Sequence, residues 1–106
     1  MNKLKVYFKD LKLGELIFEN GLYKFFANQL NIKKANAKAY PIFLYGVNKD
    51  FCSESLLSAF SDLLPEKDNV IKNMMIGIDE NDDDFVKLCK LAAADVEHRD
   101  FYVKLS

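Results

Sequence analysis

Asn20-Gly21 stands directly between two apolar runs, Leu16-Ile17-Phe18 and Leu22 to Ala27, and constrains this chain more than any other feature. Both residues tolerate the positive φ of a type I′ turn, whose twist matches that of the strands it joins. The pair therefore predicts a hairpin with Glu15 to Glu19 and Leu22 to Ala27 as its arms. Leu4 to Phe8 alternates in polarity and carries β-branched and aromatic residues, which adds a strand ahead of a turn at Asp10 to Gly14. An antiparallel meander of three strands is the result. Asn28 to Ala39 is polar, with Leu30 and Ile32 as its only apolar anchors, and reads as a connecting loop with one helical turn at most. Pro41 cannot donate to a ladder but can begin a strand, so Ile42 to Tyr45, ending at Gly46, reads as a fourth.

From Phe51 the period changes. Phe51, Leu56, Leu57, Phe60, Leu63 and Leu64 fall near three-four spacing, with Ser53 and Glu54 suited to an opening turn, so an amphipathic helix is expected until Pro65 stops it. Asp68 can cap a second helix through Val70, Ile71, Met74 and Met75, with Gly77 as its stop. Asp82, Asp83 or Asp84 then supplies the N-cap of a third, carrying Phe85, Val86, Leu88, Cys89 and Leu91. The pattern breaks over Asp95 to Asp100, and Phe101 to Leu105 alternates again as a last strand. Strands precede helices, which predicts an α+β fold: a mainly antiparallel sheet from the N-terminal half, with about three helices from the C-terminal half packed on one face. At 106 residues, without repeat or linker, residues 1–106 make one domain.

Chemistry is sparse. Cys52 and Cys89 form neither a CxxC nor a disulfide framework and read as small packed hydrophobes beside apolar helix positions. The single histidine, His98, leaves only a weak thiol-hydrolase pairing with Cys89. Asp79-Glu80-Asn81-Asp82-Asp83-Asp84 lacks the central glycine and terminal glutamate of a calcium loop and reads as a solvated helix entry. Gly14, Gly21, Gly46 and Gly77 are scattered singly at turns, which gives no phosphate-binding loop. Fifteen basic against sixteen acidic residues leave a formal charge of −1, with no field to draw a polyanion or an anionic membrane. The exposed face of Val70 to Gly77 offers only Lys72 and Asn73 as DNA donors, too few for a recognition helix. No signal peptide or spanning segment is visible, so the expected location is the cytoplasm. No catalytic residue, cofactor or metal is expected; the function expected is protein binding. Nine Phe and five Tyr exceed what so small a core easily hides, and some aromatic surface is expected to remain for a partner.

The segment Ser53 to Asn69 resembles the N-terminal subdomain of the HipA family of serine/threonine kinase toxins, where a helix ends in a Phe-x-x-Leu-Leu-Pro-Glu-Gly-Asp pattern. Phe60, Leu63, Leu64, Pro65, Glu66 and Asp68 stand on that pattern, and Lys67 replaces the glycine. Lys3 to Phe8 with Gly14 resembles the family's opening strand and turn. Tyr40 to Tyr45 resembles the apolar strand before the helix, and Asp84 to Leu88 with Asp95 the later helix and its acid. The family's glycines near Ala92 to Glu97 are missing. In full kinases of this type a catalytic region follows, with a phosphate-binding loop, a catalytic aspartate and a magnesium-binding aspartate, none of which occurs here.

The resemblance therefore implies a HipS-like antitoxin of a HipBST toxin-antitoxin system. Such a protein docks on and inhibits a shortened kinase toxin, HipT, in a complex that can include a HipB-like helix-turn-helix DNA-binding protein. A non-inhibitory subunit that completes a split HipA-like kinase is the alternative. The expected kinase interface is Phe51, Ser53, Phe60, Leu63, Leu64, Pro65, Glu66 and Asp68. Phe51 serves either as an anchor in a partner pocket or in the core, and Phe60 and Leu64 fit core packing as well. Glu66 and Asp68 either cap the next helix or meet basic groups around a nucleotide site.

Overall fold

In the computed structural model, which describes residues 3–94 and 99–106, Asn20 and Gly21 take φ of 53° and 75°, the left-handed pair that the hairpin requires. Around this turn β2 (Leu11–Glu19) and β3 (Leu22–Ala27) pair antiparallel, and β1 (Lys3–Phe8) pairs with the other edge of β2. The last strand, β5 (Phe101–Leu105), returns to lie antiparallel on β1. A short β4 (Phe51–Ser53) completes the five-stranded sheet in the order β4-β3-β2-β1-β5. Along β1 the pleat buries Leu4, Val6 and Phe8 and leaves Lys3, Lys5 and Tyr7 half-buried on the opposite face. Helices cover the buried face, α1 (Gln29–Ala37) against β2 and α4 (Asp84–Ala94) against β5. Between them run the single turn α2 (Ser58–Ser61) and the short α3 (Val70–Met75). The α+β expectation and the meander hold.

Four local readings need correction. Gly14 is not a turn residue. It sits inside β2 at a register shift, where Val6 faces Gly14 and Tyr7 faces Lys12, so that Leu13 and Gly14 are both buried. A Cβ there would lie 2.2 Å from the Phe26 carbonyl oxygen and 2.7 Å from the Phe25 ring. Gly14→Ala is accordingly expected to cost at least about 1–3 kcal/mol in urea unfolding, because the obstacle is backbone that cannot step aside. An unchanged midpoint would show that β2 and β3 separate freely.

Asn28 to Ala39 is a helix, not a loop. Asn28 caps it by accepting from the Asn31 N–H at 3.1 Å, and only Ile32 and Ala35, three apart, need face the core. Its stop is an alanine in place of the customary glycine. Ala39 takes φ of 59°, while the N–H groups of Ala39 and Tyr40 donate to the carbonyls of Asn36 and Ala35.

Ile42 to Tyr45 forms a 3-10 helix instead of a strand, closed by Gly46 at φ 70°. Only Ile42 is buried there, and Tyr45 stacks on Phe101 at 4.4 Å between ring centroids. The helix expected from Phe51 is mostly irregular. Phe51 pairs with Phe25 in the sheet, the Ser53 hydroxyl accepts from the Ser55 N–H at 3.2 Å, and helical backbone is confined to α2. Periodicity identified which residues reach the core but not the backbone that carries them.

Candidate functional site

Past α2 the chain enters Leu63-Leu64-Pro65-Glu66, where Leu63 is buried, Leu64 and Pro65 are half-buried and Glu66 is exposed. The Glu66 carbonyl then organises the next turn, accepting from the Asn69 N–H at 3.0 Å and from Asn73 Nδ2 at 2.9 Å. Asn69, not Asp68, is the N-cap of α3, and its Oδ1 accepts from the Lys72 N–H at 3.2 Å. At the far end Gly77 stops the helix at φ 76°, with the Ile78 N–H donating to the Asn73 carbonyl at 2.9 Å, and Ile76 is buried.

The helix is thus pinned at both ends, yet none of its own residues is buried. Val70, Ile71, Met74 and Met75 are 60%, 76%, 74% and 73% exposed. Side chains at these spacings share one wide helical stripe, and a stripe of this kind ordinarily meets a core. Here it faces outward. Beside it lies an open groove of about 610 Å³, with Leu64, Pro65, Val70, Met74 and Ile78 as its apolar lining. Asp62, Glu66, Glu80 and Asp84 with Lys67 and Lys87 line it with charge. The groove can receive a few apolar side chains of another molecule.

The structure divides the residues expected at the interface. Leu64, Pro65 and Glu66 come together in the groove. Asp68 is exposed beside it. Phe60 and Leu63 are core residues, with the Phe60 ring tilted against Phe101 at 5.4 Å. Phe51 is half-buried on the edge strand and stacks on Phe25 at 5.4 Å, and Ser53 of that strand pairs with Tyr23 of β3. The aromatic surplus is mostly consumed in such stacks, since of the nine Phe and five Tyr only Phe26 and Phe43 are exposed. The surface left open is aliphatic and methionine-rich instead. The sequence places the apolar residues of α3 on a helix but does not say what they face.

The acidic run is engaged in local structure. Asp83 Oδ1 caps α4 by accepting from the Val86 N–H at 2.9 Å, and Asp79 Oδ1 accepts from the Asn81 N–H at 2.9 Å. Asp82 accepts from Lys90 Nζ and from the Asp79 N–H, and these bonds hold its carboxyl below the usual aspartate range. Among the described residues no three His, Cys, Asp or Glu side chains converge on a common point as metal ligands.

Burial pushes the Cys89 thiol up, away from the thiolate that a nucleophile needs. Cys52 is exposed on β4, not packed beside a helix. His98, the base considered for a thiol mechanism, and Asp95 lie outside the described residues. Among the described residues, no helix is long and apolar enough to cross a membrane.

No family model, curated protein or solved structure matches the chain. The likeness to the HipA N-terminal subdomain therefore rests on the residues quoted for it, with Phe60, Leu63, Leu64, Pro65 and Glu66 at its centre.

Proposed function

We propose that this chain is a HipS-like antitoxin that binds a HipA-like serine/threonine kinase through α3 and the adjoining groove, and inhibits it in the cytoplasm. The observation that carries the reading is the position of α3. A helix held at both ends presents four large apolar side chains to solvent, next to the Leu64-Pro65-Glu66 segment on which the resemblance is centred. Exposed apolar surface of this kind gains free energy only when something covers it, roughly 1.5–3 kcal/mol for each side chain fully buried, before ordering costs. Methionine suits the role, because its flexible thioether adapts to the partner's contours.

Inhibition then requires no reactive group from this chain. A domain seated beside a kinase cleft can occlude it, or hold its mobile elements in an inactive arrangement. A HipB-like DNA-binding protein can complete a ternary complex.

Co-expression with a HipA-like kinase encoded beside this chain is expected to restore growth, and the purified chain is expected to lower phosphorylation in vitro. A chain that neither binds the kinase nor relieves its toxicity would refute the proposal. A rise in phosphorylation would assign it instead to the completion of a split kinase.

A further inference from the structure

We infer that the occupant of the groove is a basic amphipathic segment of the partner: apolar side chains seated on Leu64, Val70, Met74 and Ile78, flanked by Lys or Arg that meet Glu66, Glu80 and Asp84. This rests on the reading of α3 as the interface and adds the chemistry of what it takes. Charge is unevenly distributed over the molecule.

Four acids are neutralised by lysines within the fold. Glu15 lies 3.6 Å from Lys3, Glu19 lies 3.0 Å from Lys24, Asp10 lies 3.5 Å from Lys38, and Asp82 holds Lys90. Among the described residues, Glu66, Glu80 and Asp84 enter no such pair, although all three line the groove. The open sheet face has the opposite character. Lys3, Lys5, Lys12, Lys24 and Lys104 stand there against Glu15 and Glu19. The groove lining carries four carboxylates, Asp62, Glu66, Glu80 and Asp84, against Lys67 and Lys87, so it is net acidic at the place where apolar surface is left uncovered, and a partner segment both apolar and basic satisfies both at once. A groove of about 610 Å³ holds a few side chains and not a folded domain, so the partner inserts a segment.

The test uses two synthetic peptides of about 15 residues, one patterned in Leu and Lys and the other in Leu and Glu with the same spacing, each titrated into the ¹⁵N-labelled chain. The Leu/Lys peptide is expected to bind about tenfold more tightly, the combined effect of several exposed charge pairs, and to shift the amides of Leu64, Glu66, Val70, Met74 and Ile78. The double substitution Glu66→Lys with Glu80→Lys, both at exposed positions, is expected to reverse the preference. Equal binding of the two peptides, shifts centred on the sheet, or an unchanged preference in the double variant would each overturn the inference. Kinase inhibition is read separately on the same proteins. Inhibition that persists without any peptide preference overturns the charge assignment alone and leaves the antitoxin reading standing.

Discussion

Replacing Phe60 with alanine is expected to lower the unfolding free energy by about 3–5 kcal/mol, a large share of the roughly 5–15 kcal/mol that holds a small domain together. Phe60 has no solvent exposure, and its ring is tilted against Phe101, which in turn stacks on Tyr45. Removing the ring leaves a void bordered by α2, the 3-10 turn and β5. None of these can collapse into it without disturbing the pairing of β5 with β1. Urea denaturation followed by circular dichroism measures the loss directly. A destabilisation below about 1 kcal/mol would show that the position behaves as surface, and that Phe60 is free to reach a partner.

The second large effect falls on binding and spares the fold. Ile71→Asp combined with Met74→Asp places two carboxylates on side-chain positions that are 76% and 74% exposed. Stability should change by no more than about 0.5 kcal/mol per site, because surface substitutions away from special features rarely do more. Affinity for the kinase should fall on the order of a hundredfold or more, since two apolar contacts are lost and two charges must be desolvated without partners. Isothermal titration with the kinase, beside a urea melt of the same variant, separates the two quantities. A variant that folds normally and binds as well as the parent would remove α3 from the interface.

The contrast between these variants also marks how far the sequence could be read. The Asn20-Gly21 hairpin, the opening strand, the last strand, the Gly77 stop and the cap at the acidic run were legible because each is written in local chemistry: a left-handed turn pair, a two-residue alternation, a side-chain acceptor ahead of a helix. Helix α1 was not, because its buried face amounts to Ile32 and Ala35 and its stop is Ala39 where glycine is customary. The stretch from Phe51 to Leu64 misled for the opposite reason. Its apolar residues do reach the core at near-helical spacing, but Phe51 gets there by pairing with Phe25 at the sheet edge.

Tertiary placement also decided the candidate interface. Leu64, Pro65 and Glu66 were found through the resemblance, whereas Phe60 and Leu63 of the same motif turned inward. Val70, Ile71, Met74 and Met75 were visible as the apolar residues of a short helix, whose exposure only the packed chain reveals.

The central claim is that the surface from Leu64 to Ile78 is the one that meets the partner. Hydrogen–deuterium exchange of the intact chain, alone and in complex with the kinase, reads that surface without substitution. Slowed exchange over 64–78, with β1 and β5 unchanged, is the result the account predicts. Protection spread over the lysine-rich sheet face, with the amides of α3 exchanging as in the free chain, would contradict it.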